Sequence, residues 1–197
     1  MAEYRRRLDH KVSYFRRLPC FGVFSDVQLR KLVEMRPLEV RKREEVLFSE
    51  GEASGERLWL LAEGECRAEK TLELFKEDPN KLYEGQKGED VTNGESLPWA
   101  DLEGVFNYSP RRKRVHMWVY EGVTLVGEEE VVTGCKRQVG VVVTSTTASL
   151  FSFTLGDLLL LPAPKPNLSK FIETLQANIT EPRIAQRRQK LSTTLRL

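Results

Sequence analysis

The sequence has few of the residues that build metal centres and disulfide frameworks. Its 197 residues include three cysteines, Cys20, Cys66 and Cys135, and two histidines, His10 and His116. The cysteines are odd in number and match no disulfide or zinc spacing, and the histidines are far apart without a carboxylate at ligand spacing. We therefore expect free thiols in a reducing compartment and no metal site.

Long apolar runs, a large net charge and catalytic motifs are also missing. No apolar run approaches the roughly 20 residues that cross a bilayer, and the opening MAEYRRRLDHK has no signal-peptide core. The 31 basic and 29 acidic residues nearly balance, which is not typical of a nucleic-acid-binding protein. No Gly-x-Ser-x-Gly or phosphate-loop pattern occurs. We expect a cytoplasmic protein without a membrane span, without a nucleic-acid partner and without enzymatic activity.

The apolar periodicity instead predicts a helical N-terminus followed by β-structure. Residues 3–17 carry apolar side chains on one helical face, and Ser25 is a typical N-cap for a second helix. Residues 37–154 contain short apolar runs separated by Gly-containing turns, which is typical of a sandwich or a roll. The predicted regions are N-terminal helices (1–36), a β-roll (37–154) and C-terminal helices (155–197).

The C-terminal region has three helix-start signals. Thr154 is a possible cap for residues 155–161, and Asn167 is a possible cap for a strongly amphipathic helix that reaches Ile179. Thr180-Glu181-Pro182 then indicates the start of a final basic helix. Only 18 residues follow Ile179, which we consider too few for a DNA-binding helix-turn-helix domain.

Residues 73–114 interrupt the β-roll with turn-forming residues. A segment of this length without strand signals is usually functional or disordered, and we interpret it as a long inserted loop. It ends in the basic run Arg111-Arg112-Lys113-Arg114. That run is compatible with a solvated loop, a nuclear signal, a nucleic-acid patch or a docking site for an acidic partner.

Four segments, read in order, resemble the cyclic nucleotide-binding domain family. The resemblance covers most of residues 18–160 apart from the insertion, and residues 148–159 resemble the last strand of that fold and the helix behind it. It implies an α+β fold in which a jelly-roll-like antiparallel β-roll lies between N-terminal and C-terminal helices. The four segments are Leu18–Leu29, Glu45–Glu52, Leu58–Cys66 and Gly127–Arg137.

The last of these segments occupies the position of the family's phosphate-binding cassette. The family pattern is F-G-E-L-A, six residues, and R-[TSA]-A, and the spacing here is the same. The resemblance implies that Gly127 permits close approach, that Glu128 accepts the ribose hydroxyl, and that Arg137 binds the cyclic phosphate of cAMP or cGMP. Arginine suits this role because its planar guanidinium bonds two oxygens together. Glu130 and Gln138 complete the candidate ligand-binding set.

The cassette also departs from the family pattern. Glu130 replaces a small alanine, Gln138 replaces a small residue beside the arginine, and positions 126, 129 and 139 differ as well. If Glu130 points at the phosphate, two like charges about 5 Å apart repel by about 3 kcal/mol at an effective dielectric of about 20. The alternative to ligand binding is that Glu128 and Arg137 pair with each other, or are solvated, in an empty pocket. The sequence is therefore compatible with a nucleotide-binding cassette and with an empty one.

Two functional hypotheses follow. The first is a structural or scaffolding subunit of a larger assembly, which needs no cofactor and binds protein partners through the 73–114 insertion, the N-terminal helix and the basic C-terminal helix. Divergent members of the family occur in cilia and flagella, so the resemblance makes a cytoskeletal, axonemal location an expectation. The alternative is a cAMP- or cGMP-binding regulatory module that signals through its C-terminal helices.

Overall fold

The chain divides into two compact units. A computed structural model describes residues 2–74 and 111–179. One unit consists of Met1–Lys70 with Val115–Leu197, and the other of Thr71–Arg114. The second unit is described only at residues 71–74 and 111–114.

Helices stand at both ends of the described chain and one short helix lies within the roll. The N-terminal pair is joined by a 3-10 helix, Pro19–Val23. The described α-helices are α1 (Ala2–Arg16), α2 (Asp26–Met35), α3 (Glu128–Thr133), α4 (Leu155–Leu159) and α5 (Leu168–Ile179).

The strands form two four-stranded sheets within the described residues. One sheet has the order β1-β8-β3-β6 and the other β2-β7-β4-β5. The pairs β1–β8, β3–β8, β3–β6, β2–β7 and β4–β7 are antiparallel. This confirms the predicted α+β architecture. The strands are β1 (Glu39–Lys42), β2 (Val46–Phe48), β3 (Arg57–Glu63), β4 (Glu65–Leu74), β5 (Arg111–Glu121), β6 (Thr124–Val126), β7 (Gly140–Val143) and β8 (Thr147–Thr154).

Strand β3 contributes to two separate cores. Its side chains alternate between faces, as in any strand. Leu58, Leu60 and Ala62 pack with the helices, whereas Trp59 and Leu61 pack between the sheets. All five are buried, which explains why this strand is a continuous apolar run rather than an alternating one.

Aromatic side chains join the terminal helices to the roll. Phe21 of the 3-10 helix lies 4.9 Å from Phe15 of α1, 5.8 Å from Phe153 of β8 and 5.4 Å from Phe171 of α5, measured between ring centroids. These four rings are buried. Helix α5 is therefore packed against the N-terminal region through the aromatic core.

The three expected caps are confirmed. Ser25 accepts a hydrogen bond from the Gln28 amide at 3.3 Å, and the Gln28 side chain accepts one in return at 2.8 Å. Thr154 forms a second such capping box with Asp157 at the start of α4. Asn167 Oδ1 accepts from the backbone of Lys170 at 3.0 Å.

The strands that flank the predicted insertion extend into both of its ends. Strand β4 continues to Leu74 and β5 begins at Arg111, so the basic run 111–114 lies in a strand rather than a loop. The two strands are neighbours in one sheet. Residues 75–110 and the expected final basic helix lie outside the described residues.

Candidate functional site

The cassette residues form a short helix between two glycine turns. Strand β6 ends at Val126, and Gly127 precedes α3 with a φ of 83°. Gly134 follows α3 with a φ of 68°. Both values lie in the left-handed region, which glycine adopts without steric cost. These turns reverse the chain twice and bring Arg137 back against the start of the helix.

Arg137 donates hydrogen bonds to four acceptors of the protein itself. Its Nη2 atom donates to the carbonyl oxygens of Ser54 at 3.0 Å and Arg57 at 2.5 Å. Its Nη1 atom donates to the carbonyl of Gly127 at 2.8 Å and to Oε2 of Glu130 at 3.4 Å. Each terminal nitrogen carries two N–H groups, so the four partners account for all of them.

The guanidinium is also covered by aromatic rings. Its central carbon lies 4.3 Å from the ring centroid of Phe48 and 5.1 Å from that of Trp59. The residue is only 2% exposed. Burial lowers the pKa of Arg137, while the Glu130 carboxylate opposes that shift. The side chain remains charged because an arginine does not lose its proton in a protein.

The backbone of Arg137 is fixed to the turn after β2. Its N–H donates to the carbonyl of Glu52 at 2.8 Å, and its carbonyl accepts from the N–H of Gly51 at 2.8 Å. Ala53 and Lys136 form a β-bridge next to this pair. The arginine is thus held by both its main chain and its side chain.

Glu130 bridges the side chain of Arg137 and the backbone of Gln138. Its Oε1 accepts from the Gln138 N–H at 3.1 Å, while its Oε2 faces the guanidinium. Glu130 is 4% exposed. The carboxylate therefore accepts from the backbone N–H of Gln138 and from a guanidinium N–H of Arg137. Both are donor types that bind phosphate oxygens.

The remaining predicted residues lie in the same segment. Glu128 is the first residue of α3 and is buried. The Gln138 side chain is exposed and donates to the Lys136 carbonyl at 3.0 Å. Gly127 lies against Arg137, and a Cβ atom there would collide with the guanidinium. Hydrogen bonds thus join Arg137 to Gly127 and Glu130, and Glu130 to the backbone of Gln138.

Sequence reasoning missed several parts of this site. One of the alternatives from the sequence was an ion pair between Arg137 and Glu128, whereas Arg137 pairs with Glu130 at 3.4 Å. Sequence reasoning also missed Phe48 and the carbonyls of Ser54 and Arg57. Main-chain carbonyls carry no residue signature, and no local pattern indicates a contact across about 80 positions of sequence.

Metal-ligand clusters and long apolar helices are not found among the described residues. These residues contain no cluster of three or more metal-ligating side chains and no helix long and apolar enough to cross a membrane. Burial raises the pKa of Cys20 and of Cys66 to about 12, so neither thiol is activated as a nucleophile.

Comparison with solved structures identifies the fold. No family model and no curated protein matches the chain. The regulatory subunit of a cAMP-independent protein kinase A from Trypanosoma brucei is 15% identical, with a TM-score of 0.57, and the match covers 97% of this chain and 54% of that one. A cyclic nucleotide-binding domain from Methylobacillus flagellatus is 16% identical, with a TM-score of 0.51, covering 96% of this chain and 80% of that one. The fold is that of a cyclic nucleotide-binding domain.

Two further trypanosomal structures carry ligands. A T. brucei variant, in which a glutamate, a threonine and a valine are replaced by alanine, arginine and alanine, is bound to cAMP in its A site. The corresponding regulatory subunit from Trypanosoma cruzi is bound to guanosine; it is 15% identical, with a TM-score of 0.55, covering 96% of this chain and 51% of that one. The present chain spans about half the length of these regulatory subunits.

Proposed function

We propose that this chain is a non-catalytic interaction module with a cyclic nucleotide-binding fold whose phosphate cassette is closed by its own Glu130. It acts as a structural subunit of a larger assembly and needs neither cAMP nor cGMP. A cytoskeletal assembly of the ciliary or flagellar type is the setting that the sequence resemblance suggests for it.

The observation that carries this proposal is the state of Arg137. All four terminal N–H groups of its guanidinium have acceptors within the protein, and its side chain is buried beside two aromatic rings. A cyclic phosphate that used this arginine would have to displace at least the Glu130 carboxylate. Displacement leaves a buried carboxylate without its partner, which costs several kcal/mol unless the side chain swings into solvent.

Repulsion between the Glu130 carboxylate and a phosphate also disfavours binding of a cyclic nucleotide. A phosphate about 5 Å from Glu130 is repelled by about 3 kcal/mol at an effective dielectric of about 20. This corresponds to about two decades in affinity. We therefore expect cyclic nucleotides to bind weakly or not at all while Glu130 is present.

The T. brucei variant supports the idea that Glu130 and Gln138 are the residues that prevent cyclic nucleotide binding. Its replaced threonine and valine lie seven and eight residues after its replaced glutamate. In the present chain Arg137 and Gln138 lie seven and eight residues after Glu130. The present chain thus already has an arginine at the first of these positions and retains the glutamate, so removing Glu130 and shortening Gln138 are the changes to test.

The first experiment compares the ligand-induced thermal shifts of the natural sequence and of a double variant. We expect no shift for the natural sequence with cAMP or cGMP at about 1 mM. We expect the double variant Glu130→Ala/Gln138→Ala to be stabilised, since ligand at about 100 times its dissociation constant adds about 2.7 kcal/mol. The matched control adds Arg137→Ala to the double variant, which should abolish the gain. A clear shift of the natural sequence that depends on Arg137 would support instead a cAMP- or cGMP-binding regulatory module.

A second candidate is a module that binds a nucleoside without a phosphate. Its specific support is that the Glu130 carboxylate already satisfies Arg137 and the Gln138 N–H, so a ligand lacking the phosphate meets no charge repulsion there. The guanosine-bound T. cruzi protein makes guanosine the natural probe. A shift with guanosine that persists in the Arg137→Ala background would favour this candidate over a ligand-free module.

A further inference from the structure

Helices α1 and α2 lie side by side and run in opposite directions. Arg16 near the end of α1 pairs with Asp26 at the start of α2 at 2.6 Å, and Asp9 pairs with Arg30 further along at 2.9 Å. The order of these contacts is reversed between the two helices. The apolar faces of both point inward, where Leu8, Val12, Phe15, Leu29, Leu32 and Val33 are buried.

The charge of this helical pair is opposite to that of the segment that follows. Residues 1–36 contain nine lysines and arginines and four acidic residues, a net charge of +5. Residues 37–179 contain 17 basic and 24 acidic residues, a net charge of −7. The near-neutral total therefore conceals a strong separation of charge along the chain.

The acidic side chains of the helical pair are already engaged. Four of the cations of this region, Arg5, Arg6, Lys11 and Arg17, form no ion pair with another described residue. The four carboxylates are paired as Glu3–Arg7, Asp9–Arg30, Asp26–Arg16 and Glu34–Lys31.

Two of these cations lie on one stripe of α1 and its C-terminal end. Arg6, His10, Ser13 and Arg17 are spaced four, three and four residues apart, which places them on the same face of a helix. We call them the α1 basic face. Arg6, His10 and Arg17 are exposed. The face extends for about 16 Å, since a helix rises about 1.5 Å per residue.

A buried tyrosine holds part of this face in place. The Tyr14 hydroxyl donates to Oε1 of Glu63 at 2.6 Å. The guanidinium carbon of Arg17 lies 5.7 Å from the Tyr14 ring centroid, and the His10 ring packs edge-on at 5.2 Å. Groups held in this way lose less freedom on binding than free side chains do.

We infer that the α1 basic face binds an acidic helical segment of a partner protein. Guanidinium groups pair with carboxylates in a planar, two-bond geometry, and a helix with acidic residues at the same spacing matches the face along its length. The near-balance of 31 basic and 29 acidic residues is not typical of a nucleic-acid-binding protein, which favours a protein partner. The buried apolar side chains of α1 belong to the core, and the exposed Tyr4 donates to Glu34 of α2 at 3.3 Å, so the α1 basic face itself carries no apolar residue to insert into lipid. This inference rests on the proposed interaction function and names its partner.

The test measures binding of a synthetic helical peptide to the full chain by fluorescence anisotropy at low salt. The peptide is alanine-based, about twenty residues long so that it is helical, and carries four glutamates spaced four, three and four residues apart. We expect the double variant Arg6→Glu/Arg17→Glu to weaken binding by about tenfold or more, because two attractive pairs become repulsive. The matched control is Lys42→Glu/Arg43→Glu, which changes the charge equally at exposed positions away from α1. It should change binding by less than about twofold.

Circular dichroism and thermal unfolding establish that both variants remain folded. The inference is overturned if the peptide does not bind, if the two double variants lose affinity equally, or if the Arg6/Arg17 pair is needed for self-association instead. It is also overturned if a single-stranded oligonucleotide or a phosphatidylserine vesicle binds more tightly through the same two arginines. Nucleotide binding by the natural sequence would contradict the closed cassette but would leave this peptide result unchanged, so the two failures are distinguishable.

Discussion

At the scale of single residues, the cassette depends on a glycine that touches its arginine. Gly127 has a φ of 83°, and a Cβ atom at this position would collide with the Arg137 guanidinium. Gly134 has a similar φ of 68°, but a Cβ atom there would meet nothing within 4 Å. Substituting each glycine in turn therefore separates the cost of backbone strain from the cost of moving Arg137.

We expect Gly134→Ala to cost about 1 kcal/mol through strain alone, and Gly127→Ala to cost about 1–3 kcal/mol more because the buried arginine must shift. Urea unfolding of both variants measures the difference. Equal destabilisation would mean that the guanidinium can move freely, and the picture of a fixed, self-bonded Arg137 would then be wrong.

The site illustrates what residue patterns could predict and what they could not. The resemblance to the family's cassette placed Gly127 and Arg137 in one short segment of the chain. The direction of Glu130 was not predictable, since its flexible side chain has several rotamers and the choice depends on the Gln138 N–H and on Arg137. A local pattern fixes which groups are near each other but not which of them bond.

At the scale of elements, helix α4 is attached to α2 by a buried carboxylate. Arg36 donates to both oxygens of Asp157, at 2.9 and 2.7 Å, and Asp157 also accepts from the backbone and hydroxyl of Thr154. Burial disfavours the charged form of Asp157, but the hydrogen bonds from Arg36 and Thr154 outweigh it, and the pKa of Asp157 is lowered. Gln28 adds hydrogen bonds from α2 to the carbonyls of Pro162 and Pro164.

The lowered pKa of Asp157 determines the direction in which the stability of the fold changes with pH. The stabilisation is present above the unfolded pKa of about 3.9 and is lost as the pH falls through the lower, folded value. Asp157→Asn should therefore cost about 1–2 kcal/mol near neutral pH, allowing for the half-exposed Arg36, and progressively less in acid. Thermal unfolding between about pH 7 and pH 3 measures this. Asp26→Asn is the control, because the exposed Asp26 pairs with Arg16 on the surface and should matter little.

The same elements show why some contacts were predictable and others were not. The caps at Ser25, Thr154 and Asn167 involve partners three residues away, so the sequence alone indicated them. The Arg36–Asp157 pair joins positions 121 residues apart, and its formation requires the tertiary fold. The strand ends at Leu74 and Arg111 were missed for a related reason, since their strand conformation depends on pairing rather than on apolar content.

At the scale of the whole molecule, the two cores share strand β3. Leu60 packs with the helices and the adjacent Leu61 packs between the sheets, and both are fully buried. Because side chains of one strand belong to both cores, loss of either core should disrupt the strand that supports the other. The unit formed by Met1–Lys70 with Val115–Leu197 is therefore expected to unfold as one cooperative unit.

Substitution of each leucine tests this cooperativity. We expect Leu60→Ala and Leu61→Ala each to cost about 2–5 kcal/mol, because each leaves a cavity in a packed core. In a Trp99→Phe background, far-ultraviolet circular dichroism and tryptophan fluorescence of both variants should report one coincident transition. The remaining Trp59 and Trp118 pack in or against the core between the sheets, while the helices dominate the dichroism. If Leu61→Ala instead lost the fluorescence transition early while the helices persisted, the cores would be independent. Arg137 of the cassette lies against Trp59. The cassette could then loosen while the terminal helices stay packed, and the protein would not be a rigid module.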